Sequence, residues 1–216
     1  MVPKVLIAIP SCAALRHWHT VVRSTWGQDV RGADLRFFVG YIPENSDEIQ
    51  VDSPDGLQGL THKVVEAFKW ALNHGYTYVW KLDLDTLVRP KLLSGLEQHD
   101  WVGGQNSFFA SGGAGYGLSK RAMEIVIAHP IEHGPAEDVN TAHALISKGI
   151  ALHHNPHFLF IPGETLKEDT ITYHLSSVKA WDAKATPADM FAAYSGTFKL
   201  PQQQEEPVRR WLRRRV

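Results

Sequence analysis

Two aspartates separated by a single residue, Asp83 and Asp85, are the most informative chemical feature of the sequence. They follow the apolar run 76–82, which predicts that they stand at the carboxyl end of a strand. Two carboxylates at this spacing can hold Mg²⁺ or Mn²⁺ and leave open positions for a diphosphate. A pair of solvated aspartates in a turn is the alternative interpretation of the same pattern.

A third ligand would complete such a metal site, and the sequence offers twelve histidines. His174 lies late in the chain, in the segment Thr-Tyr-His-Leu of residues 172–175. Spacing alone does not select it from the other histidines.

A glycine-rich loop, Ser111-Gly-Gly-Ala-Gly115, leads into an expected strand rather than a helix. It therefore lacks the context of a dinucleotide-binding motif, and its glycines would allow a ligand to approach or a tight turn to form. Glu137 and Asp138 stand at the expected start of a helix, where acidic residues cap the helix and complement its dipole. The same position suits a general base that points into a cleft.

The composition is that of a soluble globular protein: 216 residues, 44% hydrophobic, 21% charged and a formal net charge of −1. A chain of this length buries roughly 70% of its unfolded surface, enough for one α/β domain. The near-neutral charge argues against a nucleic-acid partner. One cysteine, Cys12, cannot form an internal disulfide and favours a cytoplasmic location. No apolar run approaches the roughly 20 residues that span a bilayer.

The elements that must position these side chains alternate between strand and helix. Apolar runs predict strands at 4–9, 35–41 and 76–82, and helical spacing predicts helices within 15–26 and 57–71, the first capped by Ser11. In a doubly wound arrangement of this kind, ligands bind at the carboxyl ends of the strands. Further along, we expect helices from about 90, at 120–128 and at 138–148, and strands at 101–104, 116–119 and 158–161.

Four segments with conspicuous motifs follow one another along the chain. They are His-Thr-Val-Val-Arg-Ser-Thr-Trp-Gly at 19–27, Lys-Leu-Asp-Leu-Asp-Thr-Leu-Val at 81–88, Phe-Ala-Ser-Gly-Gly-Ala-Gly-Tyr-Gly-Leu-Ser at 109–119, and Glu-Asp-Val at 137–139. Residues 59–63, Gly-Leu-Thr-His-Lys, are similar to the family's Asn-Leu-Thr-x-Lys segment. On these motifs the sequence resembles the β-1,3-galactosyltransferase and Fringe family over about residues 4–175.

The resemblance implies an α/β protein with a GT-A-type nucleotide-sugar-binding fold, a doubly wound mixed sheet flanked by helices in a single domain. That catalytic domain would span residues 1–200, and residues 201–216 would form a polar, then Arg-rich tail. The implied activity is metal-dependent, inverting transfer of a hexose or N-acetylhexosamine from a UDP-sugar, with Mn²⁺ or Mg²⁺ as cofactor. The acceptor would be a hydroxyl of a glycan or glycolipid, and the linkage β-1,3.

The resemblance also implies roles for individual residues. Asp138 would be the catalytic base, and the metal ligands would be Asp85, Asp83 and His174. Donor contacts are expected from Arg16, Arg23, Lys63, Lys81 and Asp83. Contacts with the sugar or the acceptor are expected from Ser111, Gly112, Gly113 and Glu137.

Cellular location is a separate expectation. The eukaryotic family members are membrane-anchored and disulfide-bonded, whereas this chain has one cysteine and no anchor, which favours a cytoplasmic bacterial or viral relative. The basic run Arg209 to Arg215, which includes Trp211, is either a solvated end or a peripheral contact with an anionic membrane that carries a lipid-linked acceptor.

Two other classes of protein remain open. Asp83-Leu-Asp-Thr is also similar to the motif of aspartyl phosphohydrolases, in which the first aspartate is a nucleophile. In those enzymes the motif ends the first strand and carries a glycine before the threonine, whereas here it ends about the third. The second alternative is a sugar-binding module that kept the fold and lost turnover.

Overall fold

A computed structural model describes residues 3–132, 134, 136–179 and 184–200. The strands are β1 (Val5–Pro10), β2 (Ala33–Val39), β3 (Glu48–Gln50), β4 (Tyr78–Lys81), β5 (Thr86–Val88), β6 (Trp101–Gly103), β7 (Gln105–Asn106), β8 (Phe109–Ala110), β9 (Tyr116–Ser119), β10 (His153–His154), β11 (Phe158–Leu159) and β12 (Thr172–His174). The helices are α1 (His17–Ser24), α2 (Leu60–Asn73), α3 (Lys120–Ala128), α4 (Glu137–Ile146), α5 (Leu175–Lys179) and α6 (Pro187–Tyr194).

A seven-stranded mixed sheet forms the centre, in the order β10-β6-β9-β4-β1-β2-β3. β1 pairs in parallel with β2 and β4, and β2 with β3, whereas β9 lies antiparallel between β4 and β6. The continuous apolar run of β1 is buried along its whole length because helices cover both faces of the sheet. The mixed α/β architecture that the resemblance implied is confirmed.

Alternation along β1 divides the core into two layers. Val5, Ile7 and Ile9 pack on the face covered by α1 and α6, whereas Leu6 and Ala8 pack on the face covered by α2, α3 and α4. In α2 the buried positions, among them Val64, Phe68 and Ala71, recur every three or four residues, so one face of the helix packs on the sheet.

Some predicted elements differ from the observed ones. The helix predicted at 120–128 is observed at those residues, but the helix predicted from about 90 is only a 3₁₀ turn, Pro90–Leu92. Gly95, with φ of 90°, follows this turn in a left-handed conformation that a helix does not accommodate. Ser11 does not cap the first helix, because α1 begins only at His17.

A second sheet, of three strands, places a late part of the chain beside the turn that follows β4. Its order is β11-β12-β5, and β12 pairs antiparallel with β5 so that His174 lies opposite Thr86. No helix in the described part of the chain is long and apolar enough to cross a membrane. The predicted tail, residues 201–216, lies outside the described residues.

Candidate functional site

Three potential metal ligands meet where β4 ends. Asp83 and Asp85 lie in the turn between β4 and β5, and the pairing of β12 with β5 brings His174 to them. One ligand atom from each of the three residues lies within 4.8 Å of the others. We call Asp83, Asp85 and His174 the Asp-Asp-His cluster.

Neighbouring hydroxyls and charges hold two members of the cluster in place. His174 Nε2 lies 3.2 Å from Asp85 Oδ1, its Nδ1 lies 2.7 Å from the Ser177 hydroxyl, and Ser176 donates a hydrogen bond to Asp85. Burial would raise the pKa of Asp85, but His174 and Ser176 outweigh burial and lower it. Burial would lower the pKa of His174, but Asp85 raises it. The two carboxylates suit Mn²⁺ and Mg²⁺, and the imidazole favours the transition metal Mn²⁺ over Mg²⁺, so the cluster fits the Mn²⁺ that the sequence predicts.

Lys81 and Glu137 form a buried ion pair behind the cluster. The Lys81 ammonium lies 2.6 Å from Glu137 Oε1 and 2.7 Å from Asp83 Oδ1, and it donates to the Gly112 carbonyl at 3.0 Å. Burial would lower the pKa of Lys81, but the two carboxylates raise it, so the ammonium stays charged. The Tyr116 hydroxyl donates to the other Glu137 oxygen at 2.5 Å. Lys81 therefore holds Asp83 in place, and Glu137 is a buried ion-pair partner rather than a helix cap.

The glycine-rich loop lies between the cluster and Asp138. The Gly112 N–H donates to Asp138 Oδ2 at 3.0 Å, and the Val139 N–H donates to Asp138 Oδ1 at 2.9 Å. A Cβ at Gly113 would lie 2.5 Å from the His174 ring, and a Cβ at Gly112 would overlap the Glu137 carboxylate. These two glycines are therefore required because side chains approach the backbone closely.

A cavity of about 200 Å³ opens beside the Asp-Asp-His cluster. Asp83, Leu84 and Asp85 form one part of its wall. The rest comes from the end of β1 and the segment after it, and from the residues just before α2 and in its first turn: Pro10, Ser11, Cys12, Leu15, Gly56, Leu57, Leu60 and Lys63. The buried Lys63 ammonium donates to the Ser11 carbonyl and lies 3.5 Å from Asp55. Ser11 and Cys12 were missed as site residues in the sequence, although they follow a buried parallel strand just as Asp83 follows β4.

The structure does not bring Arg16 and Arg23 to this cavity: neither side chain is among the residues that line it. Arg23 donates to both carboxylate oxygens of Asp47, at 2.8 and 2.6 Å, and Arg16 pairs with Glu44 and Glu48. These carboxylates belong to the acidic segment 44–48, which ends at the start of β3, and its contact with α1 is a tertiary one. Both guanidinium groups are therefore engaged in holding α1 to this segment.

Comparison with solved structures gives the same class of fold. A glycosyltransferase involved in glycosylation of the major capsid of PBCV-1 matches with TM-score 0.54 and 13% identity, over 90% of this chain and 100% of that one. The mannosyltransferase PcManGT from Pyrobaculum calidifontis, solved with GDP-Man and Mn²⁺, matches with TM-score 0.50 and 12% identity, over 91% and 70%. The glycosyltransferase GlyE of Streptococcus pneumoniae TIGR4 matches with TM-score 0.55 and 13% identity, over 91% of this chain and 60% of that one.

No family model matches the sequence, and no curated protein is significantly similar to it. At these low identities the structural matches bear on the fold alone. The protein has a GT-A-type glycosyltransferase fold, with the Asp-Asp-His cluster at the carboxyl end of β4.

Proposed function

We propose that the protein is a metal-dependent, inverting glycosyltransferase. It would move a hexose or N-acetylhexosamine from a UDP-sugar to a hydroxyl of a glycan or glycolipid and form a β-1,3 linkage. The observation that carries this proposal is the Asp-Asp-His cluster on the wall of a cavity at the carboxyl ends of β1 and β4. Ligands of open α/β sheets bind at this edge. The choice of UDP and of the β-1,3 linkage rests on the sequence motifs.

Asp83, Asp85 and His174 would hold Mn²⁺ or Mg²⁺. When bound, the cation neutralises charge on the diphosphate leaving group. This chain supplies the support for its ligands: Lys81 holds Asp83, Ser176 holds Asp85, and Ser177 fixes the ring of His174. Such outer hydrogen bonds orient metal ligands and tune their basicity.

Asp138 is the proposed general base. Two backbone N–H groups hold its carboxylate oxygens, so the side chain keeps one orientation. It would take the proton of the acceptor hydroxyl while that oxygen forms a bond with the anomeric carbon. The bond from this carbon to the diphosphate breaks on the opposite face, which inverts the configuration.

The glycine-rich loop would lie beneath the transferred sugar. Gly113 contacts His174 and Gly112 contacts Asp138, so the loop spans the distance between the proposed leaving-group site and the proposed base. Ser111, Gly112 and Gly113 are therefore proposed to contact the sugar or acceptor. Glu137 would act from behind the loop, through Lys81.

Asp85→Asn tests the proposal, with Asp169→Asn, an exposed carboxylate, as the matched control. Calorimetric titration with UDP-Gal, UDP-Glc, UDP-GlcNAc and GDP-Man, with and without Mn²⁺, should show metal-dependent binding of one sugar nucleotide. Asp85→Asn should lose that binding and Asp169→Asn should retain it. Mn²⁺-dependent binding that Asp85→Asn retains, or wild-type binding that is equal with and without Mn²⁺, would rule out the metal site.

The same samples distinguish the alternative functions. Slow hydrolysis of the bound sugar nucleotide without an acceptor indicates an enzyme rather than a sugar-binding module. Release of inorganic phosphate from simple esters, without consumption of a sugar nucleotide, would indicate a phosphohydrolase. The position of Asp83 after β4 rather than after β1 favours the transferase.

We also propose that Arg209 to Arg215 bind an anionic membrane surface peripherally, close to a lipid-linked acceptor. Each basic residue near such a surface contributes about 1 kcal/mol. Co-sedimentation with vesicles that contain phosphatidylserine should be lost when residues 207–216 are deleted. Unchanged co-sedimentation of the deletion variant would contradict the proposal.

A further inference from the structure

The part of the cavity wall that follows β1 carries a buried hydrogen-bond chain. Ser11 lines the cavity, and its Oγ lies 2.7 Å from His19 Nε2. His19 Nδ1 lies 2.9 Å from Glu48 Oε1. The exposed fractions of Ser11, His19 and Glu48 are only 5%, 1% and 4%. We call these three residues the Ser-His-Glu chain.

Glu48 is the fixed end of this chain. It accepts hydrogen bonds from Arg16 and Asn45, both at 2.9 Å, and from the Glu44 N–H at 3.0 Å. Burial would raise the pKa of Glu48, but the hydrogen bonds from Glu44, His19, Asn45 and Arg16 outweigh it and hold the pKa well below its usual range. Glu48 is therefore an ionised carboxylate, which can only accept hydrogen bonds.

The charge of Glu48 determines which ring nitrogen of His19 carries the proton. Because the carboxylate only accepts, Nδ1 carries the proton and donates it to Glu48. Burial lowers the pKa of His19 despite the contact with Glu48, so the ring is neutral and Nε2 is an acceptor. The ring also stacks on Phe37 with 4.0 Å between centroids, which fixes its plane.

The orientation of the Ser11 hydroxyl follows from the neutral ring. Nε2 has no proton to give, so Ser11 donates its own proton to Nε2 at 2.7 Å. The other acceptor within reach, the Cys12 carbonyl, is 3.5 Å away. Ser11 Oγ is thus left with lone pairs alone, and it can only accept a hydrogen bond from a molecule in the cavity.

We infer that Ser11 is a specificity-determining residue that accepts a hydrogen bond from an N–H or O–H group of the nucleoside half of the donor. The inference rests on the proposed function and adds the polarity of the nucleotide site to it. Diphosphate oxygens are acceptors and would be repelled by the lone pairs of Ser11. The diphosphate therefore lies on the side of the Asp-Asp-His cluster, and the nucleoside lies against Ser11. His19 and Glu48 are positioning residues for this hydroxyl.

Matched nucleotides test which group meets Ser11. The parent is UDP or GDP, whichever the wild type binds more tightly with Mn²⁺. Each analogue lacks one donor: the ring N–H, by methylation, the 2′-hydroxyl, the 3′-hydroxyl or, for GDP, also the 2-amino group. The wild type should bind one analogue about tenfold more weakly than the parent. Ser11→Ala should bind the parent and that analogue equally, because the partner of the missing group is gone. Ser147→Ala, at an exposed serine directly after α4, should keep the tenfold difference.

Two results would overturn the inference. One is a wild type that binds every analogue as tightly as the parent; the other is Ser11→Ala with the tenfold difference intact. His19→Phe, which keeps the stacked ring but removes Nε2, should also lose the difference if thermal melting shows that it is folded. If it is unfolded, Ser11→Ala alone decides the assignment.

The proposed function and this inference fail in different ways. A wild type that binds neither UDP nor GDP with Mn²⁺ overturns both. Metal-dependent binding that is lost in Asp85→Asn, together with equal binding of the parent and every analogue by the wild type, overturns the role of Ser11 and leaves the transferase proposal standing.

Discussion

Asp138 and Gly113 are two positions of the site at which a change of one or a few atoms should have a large effect on activity or on metal binding. Asp138 is oriented by backbone N–H groups on either side of it, and Gly113 leaves room for the His174 ring. Neither effect depends on charge pairing with a distant residue. Substitutions at these positions therefore separate chemistry from metal binding.

Asp138→Asn should lower kcat by about 10² to 10⁴, because the amide cannot take the acceptor proton. The affinity for the sugar nucleotide should change little, since Asp138 lies outside the Asp-Asp-His cluster. Steady-state kinetics and calorimetric titration measure the two effects separately, with Asp169→Asn as the control. Near-normal turnover would show that another group is the base.

Gly113→Ala should weaken Mn²⁺ binding by about 10- to 100-fold, because the new Cβ displaces the ring of His174. The loop is a connection between β8 and β9, so the fold should remain. Titration of the protein with Mn²⁺ alone, followed by electron paramagnetic resonance of the free ion, measures the affinity. An unchanged affinity would mean that His174 is not a ligand.

At the scale of elements, charged and polar side chains attach α1 to the segment that includes β3. Arg16, which directly precedes α1, and His19 and Arg23 of α1 contact Glu48, and Arg23 also contacts Asp47. His19, in the sequence motif at 19–27, thus supports Ser11 in the cavity wall without lining the cavity itself. Removal of a buried charge from such a network leaves its partners unpaired.

Glu48→Gln should lower the free energy of unfolding by about 3 kcal/mol near pH 7. The pKa of Glu48 is lower in the folded protein than in the unfolded chain, so its contribution is complete above the unfolded value of about 4.3 and is lost as the pH falls below it. The difference between wild type and variant should therefore be constant from about pH 5 to 8 and shrink in stronger acid.

Urea denaturation at several pH values measures this difference. Glu66→Gln is the matched control, because Glu66 makes an exposed pair with Lys69 on the surface of α2. That substitution should change the stability by less than about 1 kcal/mol. A Glu48→Gln effect of the same size as the control would contradict the buried network.

At the scale of the whole molecule, the Asp-Asp-His cluster joins two distant parts of the chain. Ser176 and Asp85, 91 residues apart, share a hydrogen bond beside the pairing of β12 with β5. A cation held by Asp83, Asp85 and His174 would connect the seven-stranded sheet, which contains β4, to the three-stranded sheet, which contains β12. Metal binding is therefore expected to stabilise the global fold.

Addition of Mn²⁺ at about 100 times its Kd should stabilise the protein by about 2.7 kcal/mol and raise Tm by about 5 to 10 °C. His174→Ala should lose most of this increase, whereas His157→Ala, at a half-buried position that is not part of the cluster, should keep it. Differential scanning calorimetry measures the shift. An equal increase in both variants would mean that Mn²⁺ stabilises the protein through another site.

The local spacing of apolar residues in the sequence was enough to predict several strands and helices of this protein. The apolar run of β1, the helical spacing of α2 and α3, and the position of Asp83 and Asp85 after β4 all follow from the period of burial along a strand or helix. The glycine-rich loop was also identifiable, because consecutive glycines mark a close approach of the backbone.

Only the tertiary structure decided which partners these residues have. It brought His174, which the family resemblance implied but spacing alone did not select, to Asp83 and Asp85. It also engaged Arg16 and Arg23 with the acidic segment and buried Glu137 against Lys81. The reason is physical: each of these contacts joins residues that are far apart in the chain, and the energy of such a contact depends on strand pairing that no local period encodes. The sequence by itself thus determined the elements and the position of the carboxylates, and the packing of β12 and α1 determined the site.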